Sequence, residues 1–320
     1  MEKVLITGVC GFVGQHMTSY LSGKDEIEVL GIDKKSKFEH FTGEEPDLEF
    51  ESVDLNDSKS VREILEEFKP TIIIHLAALS SVGKSWKEPS KTFENNTALL
   101  LNILETLRLS KIKSRLLSVG SSEEYGIAEK SELPLTENCR VKPSNPYAVS
   151  SVAKQNLSDV YVRGYGIDIV KTRSFNHLGP GQASNFFIPS IAHQLAKIKK
   201  GDHKPSKLVV GDLSIVRDFI DVRDVVKAYW ALINRGKKGV TYNVCSGKGV
   251  KLRKIVNTLI ELTGQKVEIE VDESKLRPID NPIIIGSNKK IFNEVGWKPE
   301  VSLRKSLQDT LKYYRKTVEK

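Results

Sequence analysis

The feature that most constrains this chain is the strand, glycine-rich turn and helix that open it. Residues 3–7 read as a buried strand, with Val4, Leu5 and Ile6 consecutive. That is the pattern of a strand covered on both faces of a parallel sheet. Thr7-Gly8-Val9-Cys10-Gly11-Phe12-Val13-Gly14 follows at once, and residues 15–21 read as a helix ending near Gly23. Glycines at 8, 11 and 14 have separate physical uses. Gly8 permits the tight turn, Gly11 lets a pyrophosphate approach the backbone, and Gly14 lets the helix pack closely on the strand. A diphosphate would then meet free N–H groups and the positive end of the helix dipole.

A second strand, 27–32, ends in Asp33. A carboxylate there accepts hydrogen bonds from ribose hydroxyls and repels a 2′-phosphate, which predicts NAD(H) in preference to NADP(H). Lys34 and Lys35 pull the other way, since either can meet a 2′-phosphate. The alternation continues with a strand at 48–53 ending at Asp54, a helix at 58–68, a strand at 71–76 and a helix at 91–109. A strand at 114–119, a helix at 147–165 and a strand at 168–173 follow. This pattern predicts an α/β chain built on a doubly wound parallel Rossmann sheet, with ligands at the C-terminal strand ends. From His177 onward the alternation loosens. Helices are expected at 188–199, 222–234, 251–263 and 303–316, strands at 207–210, 240–245 and 267–271, and a surface loop at 201–206. The expected organisation is an NAD(P)-binding domain over 1–176, to which 218–246 returns. Residues 177–217 and 247–320 would form a smaller, discontinuous C-terminal substrate-binding lobe.

Composition narrows the function classes. The chain has 320 residues, of which 39% are hydrophobic and 28% charged, as in ordinary globular proteins. No apolar run approaches the ~18 residues of a membrane helix. The N-terminus shows no charged segment, long apolar segment and cleavage site in series, so no signal peptide is read. Three cysteines, Cys10, Cys139 and Cys245, are widely spaced without a CxxC pair. They read as free thiols of a cytoplasmic protein, and no metal site is expected. The net charge is +8, but no basic stripe interleaved with aromatics appears, so a nucleic-acid partner is not expected. A mildly positive protein suits a small anionic substrate such as a sugar nucleotide.

The equal glycine spacing, His75-Leu76-Ala77-Ala78 after the fourth strand, and Tyr147 after a serine-bearing strand end carry a resemblance across essentially the whole chain. The chain resembles the extended short-chain dehydrogenase/reductase family. Four further stretches are similar to its group of GDP-4-keto-6-deoxy-D-mannose reductases and GDP-mannose 4,6-dehydratases. They are Gly120-Ser121-Ser122-Glu123-Glu124-Tyr125-Gly126, Ser174-Phe175-Asn176-His177-Leu178-Gly179-Pro180-Gly181-Gln182, Val216-Arg217-Asp218-Phe219 with Asp221-Val222-Arg223-Asp224, and Leu276-Arg277-Pro278. The resemblance implies that Gly8, Gly11, Phe12, Val13 and Gly14 hold the cofactor diphosphate and Asp33, beside Lys34, the adenosine ribose. It implies that Asp54 and Leu55 flank the adenine, that Leu76, Ala77 and Ala78 line the nicotinamide side, and that Asn96 lies near the dinucleotide. Ser121, Glu123, Tyr147 and position 151 would surround the reacting carbon. Ser85, Asn176, Arg217 and Arg277 would bind the nucleotide sugar.

The chemistry of these residues agrees. Hydride transfer to a carbonyl needs a proton donor for the developing alkoxide, and a tyrosine serves if its pKa of ~10 is lowered toward neutrality. Arginines suit phosphates through bidentate contacts. Glu123 stands where a dehydratase needs a carboxylate base, so dehydratase, epimerase and dehydrogenase readings stand beside the reductase one. Position 151 departs from the family. A lysine is expected four residues after the tyrosine, but Tyr147-Ala148-Val149-Ser150-Ser151 carries serine there. Serine keeps a hydrogen bond and loses the charge. Lys154 lies on the same helix face, ~4.5 Å further along the axis. A non-catalytic dinucleotide-binding protein is the reading that follows if nothing replaces the charge. Leu99, Leu100, Leu101, Ile103, Leu104 and Leu107 make the 91–109 helix apolar beyond one stripe. A homodimer is expected from that.

Overall fold

The computed structural model describes residues 1–22, 24–35, 48–200, 206–275 and 279–319. Arg277 with its neighbours Leu276 and Pro278, the expected helix end at Gly23 and most of the expected 201–206 loop lie outside the described residues.

The first half alternates strand and helix: β1 (Glu2–Thr7), α1 (Phe12–Leu21), β2 (Ile27–Asp33), β3 (Glu49–Ser52), α2 (Ser58–Phe68), β4 (Ile72–His75), α3 (Val82–Lys87), α4 (Pro89–Leu109), β5 (Arg115–Ser121), α5 (Pro146–Tyr165) and β6 (Asp168–Ser174). The second half holds β7 (Asn176–Leu178), α6 (Phe187–Lys200), β8 (Lys207–Val210), β9 (Val216–Asp221), α7 (Val222–Arg235), β10 (Thr241–Val244), β11 (Gly249–Lys251), α8 (Leu252–Thr263), β12 (Glu268–Val271), β13 (Ile283–Ile284), α9 (Lys289–Val295) and α10 (Leu303–Glu319).

Seven parallel strands form the main sheet in the order β10-β6-β5-β4-β1-β2-β3. Side chains alternate across it as the period of two requires. Val4 and Ile6 enter one core with Met17, Tyr229 and Tyr242, while Leu5 enters the other with Leu65, Leu100 and Leu104. Ile72 and Ile74 likewise oppose Ile73. Burial on both faces explains the unbroken apolar strands. The chain winds outward from β1 in both directions, so the crevice between the ends of β1 and β4 is the expected ligand position. Thr7 pairs with His75 at that crevice.

A third core joins α6, α8 and α10 through Ile191, Leu195, Val256, Leu259, Leu307 and Leu311. A smaller sheet, β11-β9-β13 with β7 on β9, links this core to the main sheet. No helix among the described residues is long and apolar enough to cross a membrane.

Two differences from the sequence reading have physical causes. Helix α1 begins at Phe12 rather than residue 15, because Gly11 takes the extended N-cap conformation. Helix α3 was hidden by its length of six residues; the Ser81 side chain accepts from the Lys84 N–H to start it.

Candidate active site

The glycine turn is built around backbone contact. Gly8 has φ +71°, and a Cβ there would lie 2.8 Å from Ala77 backbone atoms. A Cβ on Gly14 would lie 2.4 Å from the Gly8 carbonyl oxygen, so the first turn of α1 rests on the turn itself. Gly11 caps α1 without a side-chain hydrogen bond, and no acidic residue occupies the first helical turn. Phe12 and Val13 therefore open the helix with backbone donors suited to an anion. Asp33, at the end of β2, accepts the Cys10 N–H at 3.1 Å and the Lys35 N–H at 3.1 Å. Its carboxylate is thereby fixed beside the turn, with Lys34 exposed next to it. This donor set fits a dinucleotide diphosphate and ribose.

The neighbouring loop is equally constrained. The Ala77 N–H donates to Thr7 Oγ1 at 3.2 Å, and Leu76, Ala77 and Ala78 are half-buried at the strand ends. Asp54 is exposed and forms a local turn with Asn56, while Leu55 is buried and its carbonyl accepts from Asn102. Asn96 is buried and braces the loop: its Oδ1 accepts the Leu79 N–H at 2.8 Å and its Nδ2 donates to Ser150 Oγ at 3.0 Å. Its amide is spent on the protein.

Around Tyr147 the geometry gathers Ser121, Glu123 and Ser151. Ser121 ends β5, and its Oγ accepts the Glu123 N–H at 3.2 Å. Asn145 caps α5 by accepting the Ala148 N–H at 2.8 Å and also donates to Glu123 Oε2 at 2.8 Å. One side chain thus sets Glu123 relative to Tyr147. Burial pushes the Tyr147 phenol up, the hydroxyls of Ser121 and Ser151 pull it down, and the Glu124 and Glu123 carboxylates raise it again. Ser151 is 0% exposed, and its Oγ makes no hydrogen bond of ordinary length.

Sequence reasoning overlooked two side chains here. Glu124 is fully buried; it accepts the Ser121 N–H at 2.9 Å and pairs with Arg173 at 2.8 Å. Asn145 was legible in principle, since an asparagine before proline marks a helix start.

The expected substrate contacts divide. Asn176 is exposed on β7. Ser85 is buried, and its hydroxyl donates to the Val82 carbonyl of its own helix at 2.7 Å. Arg217 is 5% exposed; it donates to the Asn281 carbonyl at 2.6 Å and pairs with Asp280 at 2.6 Å. In this arrangement Ser85 and Arg217 turn inward, because each finds a nearer acceptor within the fold.

Two imidazoles are held neutral by burial. His75 shares a hydrogen bond with Thr7 Oγ1 at 2.9 Å, and burial, reinforced by Lys154, lowers its pKa to about 3. His177 stacks on Phe12 at 5.9 Å, and burial lowers it to about 4. In the unfolded chain both protonate near 6.5. The unfolded state therefore binds more protons below that pH, and stability falls as pH drops from about 6.5 toward the folded values. The expected slope is about 1 kcal/mol per pH unit for each residue. Thermal melts from pH 7 to 5 check this: His75→Gln and His177→Gln should flatten the loss, and an unchanged slope in both would refute it.

The parallel sheet, the glycine cradle and the Ser121–Tyr147 pair define an enzyme of the extended short-chain dehydrogenase/reductase class that works with a nicotinamide dinucleotide. More particularly, the chain belongs to the GDP-mannose 4,6 dehydratase family, whose model matches residues 5–310. It is 32% identical over 310 residues to a GDP-6-deoxy-D-mannose reductase of Pseudomonas aeruginosa, covering 97% of this chain and 96% of that one. It is also 32% identical over 295 residues to a GDP-6-deoxy-D-talose 4-dehydrogenase of Aggregatibacter actinomycetemcomitans, covering 92% and 91%. Among solved structures, RMD from Pseudomonas aeruginosa complexed with NADPH superposes with a TM-score of 0.87 at 31% identity, covering 99% of this chain and 100% of that one. UDP-glucose 4-epimerase of Thermus thermophilus in complex with NAD gives 0.86 at 29% identity, covering 98% and 99%.

Proposed function

We propose that this protein reduces the C4 carbonyl of a GDP-linked 4-keto-6-deoxyhexose, as a GDP-4-keto-6-deoxy-mannose reductase. The observation that carries this reading is that two relatives at 32% identity over nine-tenths of their length are both named for redox on a GDP-6-deoxyhexose, one of them at position 4. A nicotinamide dinucleotide held at the glycine turn and Asp33 would supply the hydride. Tyr147 donates a proton to the developing alkoxide, and Ser121 orients the same oxygen. Glu124 and Asn145 hold Ser121 and Glu123 in place. Asn176 and Arg277 would hold the nucleotide end, and Arg217 and Ser85 would join them only by exchanging their present partners.

One observation favours a second reading. Glu123 is a half-buried carboxylate held by Asn145 beside Tyr147, the position a base needs for 4,6-dehydration. A substrate panel separates the two. GDP-mannose without added cofactor tests dehydration, and GDP-4-keto-6-deoxymannose with reduced cofactor tests reduction. Turnover of the first alone would replace the reductase reading.

Asp33 supports a preference for NAD(H). Its charge opposes a 2′-phosphate, so the Kd for NADH should be at least ~10-fold below that for NADPH, a difference of ~1.4 kcal/mol. Fluorescence titration with both checks this, and tighter NADPH would assign the site to Lys34 or Lys35. The pairing of α4 with α5 also leaves Phe93, Leu101, Val149, Val160 and Tyr165 exposed. Their burial between two copies is the proposed homodimer. Light scattering at micromolar concentration should give twice the 35.8 kDa chain mass, and a monomer would overturn it.

A further inference from the structure

A second concavity lies at the edge of the main sheet away from the glycine turn. Helix α1 leaves that turn at Phe12 and runs back along the strands, which puts Tyr20 ~12 Å further along its axis. Tyr20, Trp230 and Ala231 of α7, and Trp297 after α9 line a cleft of about 420 Å³. Small-molecule sites span roughly 300–1,000 Å³. The walls are fixed. Trp297 is buried, and its indole N–H donates to the Asp224 carbonyl at 3.1 Å. The buried Asp224 carboxylate accepts the Glu300 and Val301 N–H groups at 3.0 and 2.8 Å. The wall after α9 is thereby pinned to the first turn of α7. Tyr20 and Trp230 are half-buried, so each ring packs on the core and keeps an open side.

Three kinds of contact converge here. The first is aromatic: the Lys24 ammonium lies 4.7 Å from the Tyr20 ring centroid and 5.9 Å from that of Trp230, so both faces are within reach of a group arriving from solvent. The second is a set of acceptors. Asn234 donates to the Trp230 carbonyl at 2.7 Å, which leaves its amide oxygen to accept. The C-terminal ends of α1, α7 and α9 lie at the cleft, and the last carbonyls of a helix have no intrahelical partner. The third is charge. Lys227 is paired with Glu300 at 2.7 Å, whereas Arg235 and Lys298 are exposed and belong to no ion pair among the described residues. The helix ends carry at most about half a negative charge each and offset part of this excess. The cleft therefore suits a ligand that brings a flat ring, hydrogen-bond donors and anionic oxygens together.

We propose that this cleft is a second ligand site, for a nucleoside phosphate with an amino-bearing base. The base stacks on Trp230 and Tyr20, a sequence-tolerant contact open to any π-face. Its amino group donates to Asn234 Oδ1. The phosphates meet Lys298 and Arg235, whose guanidinium fork suits two phosphate oxygens. The base takes the place of the Lys24 ammonium over the rings, and Lys24 then has a phosphate to pair with. This site is separate from the crevice between β1 and β4 and does not depend on the C4 reading.

The chain's three tryptophans make the test direct. Trp230 and Trp297 line the cleft, while Trp86 sits on α3, which packs against α5 beside the candidate active site. Full-length protein labelled with 5-fluorotryptophan is titrated with GDP and followed by ¹⁹F NMR, the signals being assigned with Trp86→Phe and Trp230→Phe. The Trp230 and Trp297 signals should shift saturably, with a Kd below 1 mM. Arg235→Glu with Lys298→Glu, two exposed positions, should weaken that Kd at least tenfold and leave the Trp86 response as it was. Movement of Trp86 alone, or an equal Trp230 response in the charge-reversed protein, overturns the proposal. Inorganic pyrophosphate is the second probe. It should bind the cleft at least tenfold more weakly than GDP, and equal affinity would show a phosphate site without a base.

Discussion

Tyr147→Phe should reduce turnover by about 10²–10⁴-fold while leaving the fold and dinucleotide affinity little changed. The substitution removes one hydroxyl from a half-buried ring whose neighbours there are the hydroxyls of Ser121 and Ser151. No buried ion pair is broken, so the loss falls on proton transfer rather than on stability. The measurement is steady-state reduction of the 4-keto sugar with a parallel cofactor titration. Loss of activity with equal loss of cofactor binding would instead make Tyr147 part of the dinucleotide site. Unchanged activity would pass the proton chemistry to Glu123.

The second large effect is on stability. Asp218→Ala should destabilise the protein by about 3–5 kcal/mol, because it strips acceptors from several buried donors at once. The Asp218 carboxylate is fully buried in β9. It accepts the Ser246 N–H at 2.9 Å, the Ser246 hydroxyl at 2.5 Å, the Gly247 N–H at 3.0 Å and the Gly286 N–H at 3.2 Å. These bonds tie β9 to the loop after β10 and to the segment after β13. The loss in Tm is expected to be on the order of 10 °C. Asp218→Asn, which retains one acceptor oxygen, should lose about half as much. A wild-type Tm in Asp218→Ala would show that water or neighbouring groups satisfy those donors.

Asp218 also shows why the second half of the chain was harder to read. Val216-Arg217-Asp218-Phe219-Ile220-Asp221 carries three charges in six residues, which hides a strand from any apolar pattern. The strand exists because Asp218 and Arg217 find their partners far along the chain, at Ser246, Gly286 and Asp280. By contrast, β1 through β6 were legible because both faces of each central strand are buried and several of the turns carry glycine, asparagine or aspartate. The glycine turn was legible for the same reason: its geometry is local. Asn96 and Arg217 illustrate the opposite case. Their residue types suit ligands, but their partners are set by tertiary packing that no spacing reveals. Position 151 falls between these cases. The missing lysine is plain in the sequence, while the destination of the Lys154 ammonium, the Val119 carbonyl at 3.0 Å, depends on how far β5 runs beneath α5.

The central claim is hydride transfer to C4 of the sugar with Tyr147 as proton donor. Its most direct test is to incubate the protein with GDP-4-keto-6-deoxymannose and NADH deuterated at the transferable position, then locate the label. The account predicts one deuterium on sugar C4 for each cofactor oxidised, and its near-abolition in Tyr147→Phe. Label at any other carbon, or an unlabelled product formed from GDP-mannose without cofactor consumption, would contradict it.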